Sequence, residues 1–230
     1  MKRIAVIGAG GFAREVAWLI RDLNRVTHQF EFLGFLVSDM PLLRETDSRD
    51  EVLGDFNWLD GGDRADALAF GIGTPRTKLN LAADLECRFP RLEWPPLIHP
   101  TAQFDRDSAK FERGVVMCAG SVGTVNLKFH EFSMVNLLCT IGHESVIGRG
   151  AVLNPTVNIS GGVTIGEGVL IGTGAQVLQY IKVGENATVG AGAVVNKDVE
   201  PGATVVGTPA KPINKQRPAE LPVGVPQSIS

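Results

Sequence analysis

Large apolar residues recur at every sixth position from Phe111 to Val195. The series runs Phe111, Met117, Gly123, Phe129, Val135, Ile141, Ile147, Leu153, Ile159, Ile165, Ile171, Val177, Val183, Val189 and Val195, and only Gly123 breaks it. A second series follows four residues behind: Val115, Ser121, Leu127, Ser133, Cys139, Ser145, Ala151, Val157, Val163, Val169, Ala175, Ile181, Ala187, Ala193 and Val199. Its members are small or β-branched, with Leu127 the exception. A helix needs apolar residues near 3.6-residue spacing, and a half-buried strand needs strict alternation. Neither gives two fixed positions in six. Three short strands per turn of a coil do, each six-residue unit making one flat side and one corner. The first series then points into a narrow prism, where each member stacks on its like. Glycine one residue later (Gly142, Gly148, Gly166, Gly172, Gly184, Gly190) is expected to relieve the corner, where a Cβ would crowd the bend. The pattern predicts a hexapeptide-repeat parallel β-helix. A β-sandwich would vary its strand lengths and spacing and lose the count.

The chain before the coil has a different grammar. Residues 3–7 read as a buried strand, 8–11 as a glycine turn, and 12–23 as a helix with Val16, Leu19, Ile20 and Leu23 on one face. A second strand is expected over 30–37, a polar loop over 40–50, a helical turn over 55–60, a third strand over 65–72 and a helix over 74–89. The sum is a small α/β unit with a parallel sheet. The proline-rich stretch Trp94-Pro-Pro-Leu-Ile-His-Pro-Thr101 marks the boundary. We therefore divide the chain into a Rossmann-like α/β unit (1–96), a parallel β-helix (97–211) and a proline-rich tail (212–230). Residues 205–211 read as the loop by which the chain leaves the coil.

Composition narrows the function. A net charge of -3 supplies no basic field for nucleic acid or anionic membrane. No apolar run reaches transmembrane length and no secretory signal opens the chain, so a soluble cytoplasmic protein is expected. The three cysteines, Cys87, Cys118 and Cys139, form no CxxC pair and read as reduced thiols, Cys139 as a packing residue.

Two places carry candidate chemistry. Gly8 and Gly10, with Ala13, fit the dinucleotide fingerprint. Their backbone N–H groups, at a helix N-terminus, suit a phosphate. A tight βα turn needs glycine anyway, so a plain turn, a nucleotide-phosphate site and an NAD site all stay open. Arg76, just beyond the third strand, is a candidate phosphate partner or a solvated helix-start arginine. In the coil, His143 and Glu144 interrupt a polar corner. A histidine beside a carboxylate can serve as a general base, or be a solvated pair. Three six-residue units close one turn of the coil, so Gly161, three units on, lies directly above His143. It leaves room for a ligand and offers an N–H at an oxyanion position. His130 has no acidic partner beyond Glu131 and reads as structural, as does His99. The histidines lack metal-ligand spacing, so no metal is expected.

Five segments carry a resemblance: Ile-Gly-Ala-Gly-Gly (7–11), Ile-His-Pro-Thr-Ala (98–102), Ile-Gly-His-Glu (141–144), Gly-Gly-Val-Thr-Ile-Gly (161–166) and Val-Gly-Thr-Pro-Ala-Lys (206–211). Over residues 2–213 the chain resembles the bacterial sugar acetyltransferases of the hexapeptide superfamily, in the PglD/NeuD-like branch that joins a Rossmann-like unit to the coil. The resemblance implies a left-handed coil, a homotrimer, and acetyl-CoA as cosubstrate, lying between neighbouring coils. It implies His143 as catalytic base, Glu144 as its partner, and Gly161 as donor to the thioester oxygen. Thr173 and Ala191 would follow the pantetheine arm, and Lys211 would lie near the far end of the coenzyme. Gly8, Gly10 and Gly11 would form the phosphate loop for a nucleotide sugar. Where the family often has paired aspartates after the second strand, this chain has only Asp39. The implied activity is direct acetyl transfer to a nucleotide-linked amino sugar, in surface polysaccharide or lipopolysaccharide synthesis. O-acetylation of sialic acid or another sugar, and a non-catalytic trimeric scaffold, are the alternatives.

Overall fold

A computed structural model of the chain describes residues 1–43, 45–47 and 49–213. The expectation for the tail lies, from residue 214 on, outside the described residues. The N-terminal unit opens with β1 (Lys2–Ile7), α1 (Gly11–Val26) and β2 (Phe30–Val37). β3 (Val52–Asp55), β4 (Ala67–Phe70) and α2 (Pro75–Arg88) follow. The sheet has the order β3-β2-β1-β4, with every pairing parallel. Ile4–Ile7 of β1 and all of β4 are buried, which is why they read as unbroken apolar runs. β3 lies outside the expected elements. It is an edge strand, half-buried throughout, that begins directly after Asp50 and Glu51 and carries Gly54. The loop expected over 40–50 holds two short 3-10 turns, Met40–Leu42 and Arg49–Glu51.

Two glycines set the carboxyl edge of this sheet. Gly8 takes φ +103° to turn the chain from β1 toward α1. A Cβ on Gly71, at the end of β4, would fall 2.5 Å from the Ala13 Cα, so its absence lets α1 lie against the sheet.

The coil has three sides, each a parallel ladder of short strands whose successive rungs stand one full turn apart. Side I stacks Leu97–Ile98, Val116–Met117, Met134–Val135, Val152–Leu153, Leu170–Ile171 and Thr188–Val189. Side II runs from Val122–Gly123 to Val194–Val195, and side III from Lys110–Phe111 to Lys182–Val183. The predicted inward residues form one continuous core, Phe111 and Phe129 stacking with centroids 4.6 Å apart. The two exceptions to the two series compensate each other: a Cβ on Gly123 would fall 2.5 Å from Leu127 Cδ1. The oversized Leu127 fills the space that Gly123 leaves.

The corner glycines work differently from the expectation. The bend itself is made two residues later, by Gly114, Gly120, Gly150, Gly162, Gly168, Gly174 and Gly192, or by Asn126, Phe132, Leu138, Glu144, Thr156, Tyr180 and Asn186, all at positive φ. The earlier set is held to glycine by the next rung. A Cβ on Gly142 would lie 2.5 Å from Gly161 N, and one on Gly172 would lie 2.4 Å from Ala191 N. Stacking, not bending, excludes a side chain there.

The N-terminal unit docks on side I and on the corner between sides III and I. Val116, Met134 and Val152, which point outward from side I, are buried in a common cluster with α1, β1 and β4. Phe132 leaves the corner at φ +58° and is fully buried. Its ring meets Phe70 at 5.6 Å and Trp94 at 5.3 Å, both edge-on, while Trp94 stacks on Phe70 at 4.8 Å. The proline-rich boundary is thus packed: Trp94 O accepts from Gly114 N (2.7 Å), and His99 joins Thr101 (2.9 Å) to Asp22 on α1 (3.1 Å).

The far end of the coil also differs from the expected exit loop. Thr204–Val206 adds a further strand to side I, pairing with Thr188–Val189, and Lys211–Pro212 returns antiparallel to it. Thr204 pairs with Thr188, two positions short of a full turn, so the six-residue count misses this strand although Val205 is buried.

Candidate active site

The corner between sides II and III lies opposite the docked unit and faces outward. His143 and Glu144 stand on it with side chains 50% and 57% exposed. Glu144 is one of the bend residues (φ +55°), which turns its carboxylate back beside the preceding imidazole. His143 Nδ1 hydrogen-bonds to Glu144 Oε2. A carboxylate only accepts, so Nδ1 carries a proton, and in the neutral ring Nε2 keeps its lone pair. Asn126, one rung below, donates from Nδ2 to the other Glu144 oxygen at 3.4 Å. Together the His143 and Asn126 bonds hold the Glu144 carboxyl below the ordinary glutamate pKa.

The rung above supplies the second half. Gly162 N donates to His143 O at 2.7 Å, in the register that stacking by full turns requires. A Cβ on Gly161 would fall 2.4 Å from His143 Nε2, so only glycine lets the ring lie there. Among the described residues no acceptor meets the Gly161 N–H. A ring nitrogen thus lies against the glycine whose amide donor has no acceptor among the described residues. That is what a proton abstraction with oxyanion stabilisation requires.

Thr173 and Ala191 lie on another corner, between sides I and II, one rung apart, where Gly192 N donates to Thr173 O at 2.8 Å. Lys211 is exposed in the terminal hairpin. The expected coenzyme residues of one chain therefore occupy two corners flanking side II and do not meet.

In the N-terminal unit, Gly8 and Asp39 line a cavity of about 170 Å³ at the carboxyl edge of the sheet, with Ile72 and Thr77 across it. Asp47, from the loop after β2, joins Asp39 there, a second carboxylate that sequence adjacency could not reveal. Gly10 and Gly11 border the start of α1 without lining that cavity. Gly10 has an ordinary φ of -76°, and a Cβ on it would meet nothing nearer than Asp47 Oδ1 at 3.8 Å. Arg76 faces elsewhere, into a cleft of about 760 Å³ between α2 and the coil that Arg149 and Glu167 also line.

His99 is held between Thr101 and Asp22, and His130 is not as lone as expected. Its Nδ1 meets Glu112 at 3.1 Å, one rung below. The full-turn step predicts that partner, whereas adjacency points only to Glu131. Cys118 and Cys139 are buried, and burial pushes their thiols up to about 12 and about 11. Among the described residues no group of histidine, cysteine or carboxylate side chains could hold a metal. None of the described helices is long and apolar enough to cross a membrane.

Comparison with known proteins places this geometry in context. The model of the bacterial transferase hexapeptide family (six repeats) matches residues 144–179 and 162–197. No curated protein matches the chain. Among solved structures, the acetyltransferase domain of PglB from Neisseria gonorrhoeae, in complex with acetyl coenzyme A, is similar with a TM-score of 0.80 and 29% identity. That likeness covers 92% of this chain and 99% of the other. WeeI from Acinetobacter baumannii has a TM-score of 0.79 at 25% identity, covering 93% and 100%. A perosamine N-acetyltransferase mutant from Caulobacter crescentus, in complex with CoA and GDP-perosamine, shares the fold at 24% identity with a TM-score of 0.79, covering 94% and 98%.

Proposed function

We propose that this hexapeptide-repeat acetyltransferase of the PglD/NeuD-like family carries acetyl from acetyl-CoA to the amino group of a nucleotide-linked sugar. The observation that carries the reading is His143 Nε2 lying against the α-carbon of Gly161, whose N–H is free of acceptors within the described residues. The sugar amine attacks the thioester carbon while His143 Nε2 takes its proton. Glu144 fixes the imidazole through Nδ1–H and stabilises the imidazolium that forms. The Gly161 N–H donates to the developing oxyanion. As the C–N bond closes the C–S bond breaks, and the proton passes from Nε2 to the departing thiolate. No acetyl-enzyme is formed.

The working unit is a trimer. His143 and Gly161 stand on one corner of side II and Thr173 and Ala191 on the other, while the cavity of Gly8 and Asp39 lies across the coil, on the docked unit. A single chain holds these parts apart, and neighbouring copies would bring them together. Exposed apolar side chains flank side II at Val122, Val125, Leu138, Leu178 and Tyr180, the kind of surface a second copy covers. Nucleotide phosphate binds at the loop of Gly8, Gly10 and Gly11, through amides other than that of Gly8, which donates to Leu36 O at 2.7 Å, with Asp39 toward the sugar or base. Arg76 contributes from the neighbouring cleft. The three free cysteines, Cys87 exposed among them, suit the reducing cytoplasm where we place the enzyme.

The test is thiol release from acetyl-CoA against a panel of UDP-, GDP-, dTDP- and CMP-linked amino sugars and their hydroxyl counterparts, on protein whose mass in solution is measured. Turnover with an amino sugar by a trimer is expected. Turnover only with hydroxyl acceptors would move the assignment to O-acetylation, and none with any acceptor would leave a scaffold.

A further inference from the structure

The Gly161–Gly162 dipeptide is approached from two directions. His143 reaches up to it from the rung below, its Nε2 2.4 Å from where a Gly161 Cβ would stand. Tyr180 reaches down from the rung above, its ring Cδ1 2.4 Å from where a Gly162 Cβ would stand. Tyr180 N also donates to Gly161 O at 3.0 Å, which ties the tyrosine's backbone to the same peptide. Tyr180 holds φ +62°, a conformation costly for a bulky side chain, and its residue is 72% exposed. Apart from its contact with Gly162, the ring stands open on this corner among the described residues.

We propose that Tyr180 is a specificity-determining residue that bounds the acyl-donor end of the site and selects a short acyl group. The proposal rests on the reading of His143 and Gly161 given above. Direction along the coil assigns the ring to the donor. The base must face the amine, and His143 enters from the N-terminal side of the Gly161 rung. Thr173, Ala191 and Lys211, given to the coenzyme, lie on the C-terminal side, as Tyr180 does. The ring therefore stands where the thioester leads into its acyl and pantetheine arms. Its flat face offers an apolar wall to a methyl group, and a longer acyl chain extending that way would meet the ring. A wall of this kind discriminates by steric fit, at about 10-fold or more for each added methylene.

The experiment compares wild-type protein with Tyr180→Gly, Tyr180→Phe and His143→Asn. Glycine suits the positive φ of this position, so the first variant relieves strain and should fold; thermal unfolding checks this. Acetyl-, propionyl- and butyryl-CoA are used as donors with one amino-sugar acceptor, and acetyl-CoA binding is measured by calorimetry. In Tyr180→Gly the ratio of kcat/KM for butyryl-CoA to that for acetyl-CoA should rise about 10-fold or more. The KM for acetyl-CoA should rise and that for the acceptor should stay. Tyr180→Phe should keep the wild-type ratio of butyryl- to acetyl-CoA use, because the ring and not the hydroxyl forms the wall. Unchanged donor selectivity in Tyr180→Gly, or a shift in acceptor KM alone, overturns the proposal while leaving the catalytic reading in place. Full activity of His143→Asn, or no acetyl-CoA binding by the wild type, overturns that reading and this inference with it.

Discussion

Two corners of the same coil carry a histidine with a glutamate partner, and only one of them has the makings of a site. On the corner between sides III and I, His130 pairs with Glu112, but the corner is built for docking. Phe132 is driven into the N-terminal unit there, with the Arg113 and Arg149 guanidinium groups 5.5 and 5.9 Å from its ring. Glu131 bridges the two arginines at 2.7 and 3.2 Å, and Arg113 above all holds its carboxyl below the ordinary range. On the corner between sides II and III, His143 has the same kind of partner, but among the described residues the amide beside its ring has no acceptor and no unit covers it. A His–Glu pair is therefore not a catalytic signal in itself. What distinguishes His143 is the glycine against the imidazole and the unpaired donor that glycine exposes.

The sharpest test of that contrast is to remove each histidine. His143→Asn should lower kcat by about 10²- to 10⁴-fold, the range for loss of a general base, with acetyl-CoA affinity near wild type by calorimetry. His130→Asn should leave turnover unchanged; an equal loss in both would erase the distinction. Next in size, Phe132→Ala should cost about 3–5 kcal/mol in chemical denaturation, because it empties the aromatic contact between unit and coil. Truncating the bend residue Leu138, which is 60% exposed, should cost far less on the same measurement.

Behind the closed corner, Lys78 on α2 is fully buried with no hydrogen-bond partner for its Nζ among the described residues, and desolvation pulls its pKa down to about 7. The unfolded chain binds this proton up to about 10.5, so between those values unfolding takes up a proton and stability rises with pH. Lys78→Met should raise the unfolding free energy at pH 7 by on the order of a few kcal/mol and flatten that rise. A variant with wild-type stability and an unchanged slope from pH 7 to 10 would count against it.

The smallest effects concern the open side. Glu144→Gln keeps a hydrogen-bond acceptor but not the charge, so kcat should fall about 10-fold, less than for His143→Asn. Gly10→Ala should fold normally, since the structure leaves room for the methyl group, and should raise the KM for the nucleotide sugar without changing that for acetyl-CoA. A change in acetyl-CoA KM instead would remove the phosphate loop from the acceptor site.

What could be read without coordinates was what repetition enforces. Parallel strands stacked in register convert three repeats of sequence into one vertical contact. The core series and the position of Gly161 above His143 therefore both follow from counting, while the filling of the Gly123 gap by Leu127 does not. The same arithmetic, applied to His130, gives Glu112. The buried stretches of β1 (Ile4–Ile7) and β4 were equally plain, because every residue in them is apolar. Tertiary structure alone decided the rest. The docking of the N-terminal unit on side I, the burial of Phe132 and Lys78, and the meeting of Asp47 with Asp39 each depend on surfaces remote in sequence fitting one another. Edge strand β3 and the shortened last turn escape because pairing to a neighbour, not a local pattern, holds them. A repeat specifies its own neighbours; a contact between unlike parts is specified only when both are folded.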